Sequence, residues 1–224
     1  MATSVETARR TGTDESPTLT WFVNWIKGHR QASGYIAAAL IVGAGLIWWS
    51  ALSSRRSEVV AGEQLAQARL AFESKNFALA ASELSRIIAN YSGTKAAQEG
   101  TLLLAQVRLG QGQSQQAIEV LKEYAPRADK DYRAQAHGLL GAGYENVGHP
   151  KEAAQAYLDA AGEAVFPFLR GQFLSDAGRA LVAGGDTAGA VEAYRKIVKE
   201  MGETGLATEA SVRLGELTKG RAIP

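Results

Sequence analysis

The chain of 224 residues is 46% hydrophobic and carries 24 Lys plus Arg against 23 Asp plus Glu. Beyond Ser54 the balance is 20 against 20, which argues against nucleic acid or an acidic polymer as the main partner. The lack of cysteine excludes disulfides, thiolate nucleophiles and cysteine metal sites, and leaves the compartment open, since an exported domain can do without disulfides.

Residues 1–15 form a polar tail rich in Thr and Ser, with Arg9 and Arg10 offset by Glu6, Asp14 and Glu15. By composition this tail is expected to be disordered in isolation. Ser16 and Pro17 suit an N-cap and a first helical position, and Leu19, Phe22, Val23 and Ile26 follow at helical spacing. The pattern predicts an amphipathic helix over 16–30 lying at a membrane interface, with Trp21 and Trp25 as anchors and Lys27 and Arg30 at its end.

Residues 31–54 are 24 consecutive positions without a charge. At a rise of about 1.5 Å per residue they reach roughly 36 Å, enough to cross a hydrocarbon core of about 30 Å, so one transmembrane helix is expected here. Trp48 and Trp49 would mark its far interface. A cleaved signal peptide competes for this segment, but its apolar core is shorter and starts earlier. Lys27 and Arg30 on one side are matched by Arg55 and Arg56 on the other, and the short tail, weighted more than the long domain, places the N-terminus in the cytoplasm. Gly34, Ala38, Ile41 and Gly45 share a face, and Ala39 with Gly43 makes a small-xxx-small pair. These residues form either a helix-packing face or the chance pattern of an Ala-rich span.

Residues 55–224 repeat one pattern. Leu140, Gly141, Tyr144, Gly148, Ala153, Tyr157 and Ala160 have the spacing of a tetratricopeptide repeat, in which small residues let two antiparallel helices approach and an aromatic fills the gap between hairpins. The frame recurs at Ala80, Ala117, Ala153 and Ala190, each followed four residues later by Leu84, Leu121, Tyr157 or Tyr194. Turns are predicted at 75–77, 110–114, 148–150 and 184–186, the first being the weakest because Lys75 stands where glycine is usual. A last helix over about 204–218 would cover the end of the stack. The expected fold is therefore all-α: one N-terminal transmembrane helix, then a tetratricopeptide-like α-solenoid of about four helical hairpins with a capping helix.

A short tail, a Gly- and Ala-rich span ending in aromatics, and tetratricopeptide-like repeats together resemble the YfgM family of bacterial inner-membrane proteins, from about Trp21 to the end of the chain. The resemblance implies an inner-membrane protein with a periplasmic repeat domain. It further implies a role as an ancillary subunit of the Sec translocon, with holdase activity toward exported proteins.

No enzyme is advertised. His29, His137 and His149 fall at the membrane boundary, on a repeat helix and in a turn, and none has a partner at ligand spacing, so no catalytic, cofactor or metal site is expected. Gly110 and Gly112 lack the lysine and preceding strand of a phosphate loop and read as a turn. The first helices of the hairpins should line a concave surface bearing Leu65, Arg69 and Phe72, then Glu99, Leu102, Gln106 and Leu109, then Gln135, Ala142 and Glu145, and finally Gln172, Ser175, Arg179 and Val182. The apolar members would favour an apolar helix or extended segment, and Leu65, Phe72, Leu102 and Leu109 serve equally well as interhelical core. The functional expectation is a non-catalytic scaffold or adaptor, an accessory subunit of a larger bacterial membrane complex, with a translocon holdase as the alternative. Its partners would be that complex and the lipid bilayer, with the translocon and its exported clients under the alternative.

Overall fold

The computed structural model describes residues 30–219, and among these it is entirely helical. Nine α-helices follow in order: α1 Arg30–Glu73, α2 Phe77–Asn90, α3 Lys95–Gly110, α4 Ser114–Tyr124, α5 Lys130–Asn146, α6 Pro150–Glu163, α7 Pro167–Ala183, α8 Thr187–Met201 and α9 Gly205–Thr218, with a short 3-10 turn at Ala125–Arg127. The chain divides into two compact units, Met1–Ser53 and Ser54–Pro224.

In the first unit the polar tail and nearly all of the expected interfacial helix, Trp21 and Trp25 included, lie outside the described residues. Residues 31–54 are helical and belong to one helix that continues to Glu73, so the division between the two units falls within α1. Among the described residues no helix is long and apolar enough to cross a membrane. The side chains at 31–34, 36, 37 and 39, which include Gly34 and Ala39, lie outside the described set. Leu40, Ile41, Val42, Leu46, Ile47, Trp48 and Trp49 are all exposed, as is Ala38. A Cβ built at Gly43 or Gly45 meets nothing within 4 Å.

In the second unit the helices pair as four hairpins, the last part of α1 with α2, then α3 with α4, α5 with α6 and α7 with α8, and α9 packs on α8. The four turns share one geometry. Lys75, Gly112, Gly148 and Gly185 each take a positive φ, between 60° and 84°. The next residue's N–H then reaches back to the carbonyl five positions earlier: Asn76 to Ala71, Gln113 to Arg108, His149 to Tyr144 and Asp186 to Leu181. This closure satisfies a carbonyl that a helix end would leave unpaired. The backbone demand is thus the same in all four turns, and the first meets it with a lysine.

The repeat frame is set by size. Ala80, Ala117, Ala153 and Ala190 have no exposed surface, and Leu84, Leu121, Tyr157 and Tyr194 behind them are at most 4% exposed. Sixteen residues before each of these stands the small residue of the first helix: Ala68, Ala105, Gly141 and Gly178. Leucine therefore stands with alanine in the first two hairpins, and tyrosine with glycine in the last two. The pairing follows from contact, because a Cβ added at Gly141 would lie 2.7 Å from the Tyr157 ring and one at Gly178 would lie 2.6 Å from that of Tyr194. Helix α5 extends the principle to its other sides, with Gly138 against Phe173 of α7 and Gly143 against Ile118 of α4.

Candidate functional site

Polar links run from hairpin to hairpin along the edge where the first helices begin. The Glu58 carboxylate accepts from the backbone N–H groups of Lys95 and Ala96, taking up two donors that the start of α3 leaves free. Gln98 accepts from the Asp129 N–H and donates to its carboxylate at 2.6 Å. Arg133 binds the Ala128 carbonyl and pairs with Glu163, and one repeat later Arg170 binds the Ala164 carbonyl and pairs with Glu200.

The first helices also carry the expected interaction residues. Arg69, Phe72, Leu102, Gln106 and Gln135, from three successive hairpins, surround one cleft of about 290 Å³ together with Glu99 and Tyr132. Ser175, Arg179 and Val182 line another of about 310 Å³, whose opposite wall is Glu209, Arg213 and Glu216 of α9. Leu109 is half-buried against the second hairpin's core and lines neither cleft.

Leu65 and Leu102 touch clefts of this face but follow the second of the two readings open to them. Leu65 is 5% exposed and Leu102 is 2% exposed, so both belong to the interhelical core. A first helix is covered on two sides, by its own hairpin partner and by the next hairpin, which draws apolar residues near the concave face into the interior. Accessible apolar side chains there are Phe72, half-buried with its ring tilted 52° to that of Phe77 at 5.8 Å, and Val182, 43% exposed.

The cations of this face are already engaged. Arg69 pairs with Glu99 across the first two hairpins. Arg179 reaches Glu145 on the preceding first helix and Asp176 on its own at 2.7 Å. Glu145 accepts in turn from the Tyr157 hydroxyl at 2.7 Å. Burial, and then the hydrogen bond to Glu145, push the Tyr157 hydroxyl well above the usual phenolic range. Burial opposes the charge on Arg179, but the hydrogen bond to Asp176 and the charge of Glu145 prevail and hold it more firmly protonated than usual. Sequence reasoning placed Glu145 and Arg179 on the face without seeing this network. Their separation of 34 residues, two to three short of one repeat, was the available signal.

Among the described residues, no group of three or more His, Cys, Asp or Glu could hold a metal ion. His149 ends the third turn, 3.8 Å from Glu152 and stacked on Tyr144, while His137 is half-buried on α5. His29 lies outside the described residues.

Comparison with known proteins agrees with this architecture. A family model for a tetratricopeptide repeat-like domain matches residues 52–165, and one for a tetratricopeptide repeat matches residues 174–200. No curated protein matches the chain. Among solved structures, it is similar to the nearly identical TPR-like repeats of a candidate kinesin light chain from Podosopora anserina, at 19% identity and a TM-score of 0.56. That match covers 70% of this chain and 85% of the other. A single-substitution variant of the same protein matches at 18% identity and a TM-score of 0.57, covering 70% and 84%. At these identities the likeness is one of fold alone.

Proposed function

The chain belongs to the tetratricopeptide repeat-like domain family, and from that premise we propose that it is a non-catalytic adaptor whose repeat unit binds another protein on the face of its first helices. Repeats of this kind generally mediate protein–protein interaction, typically without catalysis. The observation that carries the proposal is the convergence of Arg69, Phe72, Gln106 and Gln135 from three hairpins on one cleft. Arg69 is tied to Glu99 and Arg179 to Glu145 and Asp176, so neither of these two cations of the face, among the described residues, is free to clamp a terminal carboxylate. The face suits instead a helical or extended segment of mixed polarity, held by glutamine amides and one aromatic contact.

The second part of the proposal is a membrane anchor at residues 31–54. It is supported by the 24 uncharged positions and by the exposed apolar side chains from Leu40 to Trp49. On this reading the tail is cytoplasmic, the repeat unit lies across the inner membrane, and the protein is an accessory subunit of a membrane complex. A holdase beside the translocon is the less favoured form, because burial of Leu65 and Leu102 removes the apolar groove that unfolded clients would need.

The test is photocrosslinking from position 106 in cells, followed by purification in mild detergent. One crosslinked partner, retained at fixed stoichiometry and lost in a Phe72→Ser, Gln135→Ala variant, is the expected result. A smear of many exported proteins would support the holdase form, and crosslinks that survive the double substitution would sink the cleft as the binding surface.

A further inference from the structure

Four connections link one hairpin to the next element, and three of them are polar where they meet solvent: Ser92-Gly93-Thr94, Arg127-Ala128-Asp129 and Gly202-Glu203-Thr204. The third in chain order, between α6 and α7, is different. Val165, Phe166 and Phe168 there are 59%, 70% and 65% exposed, on either side of Pro167. The local structure gives up a stabilising feature for this sequence. Thr94 and Thr204 cap α3 and α9 by accepting from a backbone N–H, and Asp129 before α5 makes no such bond but can accept one, whereas Phe166, in the same position before α7, has no atom to cap with. The charged neighbours do not explain the patch, since Glu163 pairs with Arg133 and Arg170 with Glu200. A contiguous exposed cluster of two phenylalanines and a valine between two hairpins marks a contact surface.

The position of the cluster in the repeat unit indicates what it meets. Glu58 lies within five residues of the point where the chain enters this unit at Ser54. From Glu58 the polar links pass to Lys95 and Ala96, from Gln98 to Asp129, and from Arg133 to Glu163, two residues before Val165. The cluster therefore shares one edge of the repeat unit with the residues that directly follow the uncharged segment 31–54. We propose that the Val165-Phe166-Pro167-Phe168 cluster, a connection and the first turn of α7, inserts into the interfacial layer of the lipid bilayer as a second membrane contact, resting on the reading of 31–54 as an anchor. Aromatic rings flanked by paired charges suit the headgroup boundary, where apolar area is buried without drawing a charge into hydrocarbon.

The chain contains no cysteine, so a single introduced one can be labelled uniquely in the full-length protein. Bimane is placed at Val165→Cys, which leaves both phenylalanines intact, at Trp48→Cys in the proposed anchor, and at Asp186→Cys in a turn between the helices of a hairpin. Each variant is reconstituted in phosphatidylethanolamine–phosphatidylglycerol vesicles containing headgroup-proximal nitroxide lipids. The expected result is quenching at 48 and 165 but not at 186, with the signal at 165 lost when Phe166→Ser and Phe168→Ser are added and helicity is unchanged. Quenching at 48 without quenching at 165 would overturn the cluster's contact and leave the anchor standing. Absence of quenching at both would overturn the anchor reading and this inference with it. A label at 165 shielded from aqueous iodide yet unquenched by nitroxide lipid would assign the cluster to a contact between copies of the protein instead.

Discussion

The first two hairpins and the last two solve one packing problem with different volumes. Ala68 and Ala105 stand with Leu84 and Leu121 in the former, while Gly141 and Gly178 receive Tyr157 and Tyr194 in the latter. A methyl group moved from one helix is replaced by a ring on the other, and the backbone period stays at 36 to 37 residues. The choice has a polar consequence. A leucine needs no partner, whereas the largely buried Tyr157 brings a hydroxyl that must find one, and it finds Glu145, which in turn holds Arg179 of the next hairpin. The C-terminal half is therefore linked across hairpins in a way that follows from its larger side chains.

The largest expected effect comes from breaking the glycine–tyrosine fit. Gly141→Ala places a methyl 2.7 Å from the Tyr157 ring, and should cost about 2 to 3 kcal/mol in urea denaturation. Adding Tyr157→Leu recreates the N-terminal solution and should recover most of that loss; a double variant no more stable than the single one would refute the volume pairing. The reciprocal change sharpens the comparison from the other side. Leu84→Tyr should destabilise by about 1 to 3 kcal/mol, with Ala68→Gly relieving it.

Smaller effects belong to the turns. Lys75 holds a left-handed conformation that glycine holds in the other three, so Lys75→Gly should stabilise by about 1 kcal/mol, while Gly148→Ala should destabilise by a similar amount in the same assay. If Lys75→Gly instead lowers the midpoint, the first turn is not equivalent to the others. The smallest change expected is at the network. Glu145→Gln keeps the Tyr157 acceptor but removes a charge whose partner Arg179 is 57% exposed, and should cost less than about 1 kcal/mol.

The hairpins were legible in the sequence because their constraints recur: an alanine with no room for a larger group, a large residue four positions on, and a turn that requires a left-handed residue. The core and the groove were harder to separate. Leu65 and Leu102 satisfy the periodicity of a concave surface, but a helix packed against two neighbours buries more than half its circumference, and one-face reasoning does not register the second neighbour. The continuity of α1 past Ser54 was hidden for a different reason. Arg55 and Arg56 change the polarity of the chain without changing its helical propensity, so the boundary between the two compact units falls inside one helix. The exposed cluster at 165–168 lies between the repeats, where a pattern built on period carries no information.

Helix α5 contains three glycines, each filled by a side chain from a different helix, Ile118 of α4, Tyr157 of α6 and Phe173 of α7. Such a helix is a poor former alone, giving up about 1 kcal/mol per glycine relative to alanine, and it becomes stable only as its neighbours arrive. In an array where each hairpin otherwise touches only the next, this joins a weak unit to strong interfaces, the condition under which a linear chain of units melts together. Partial unfolding that frays the stack from either end should therefore halt or become global at α5, which acts as the cooperative switch of the repeat unit.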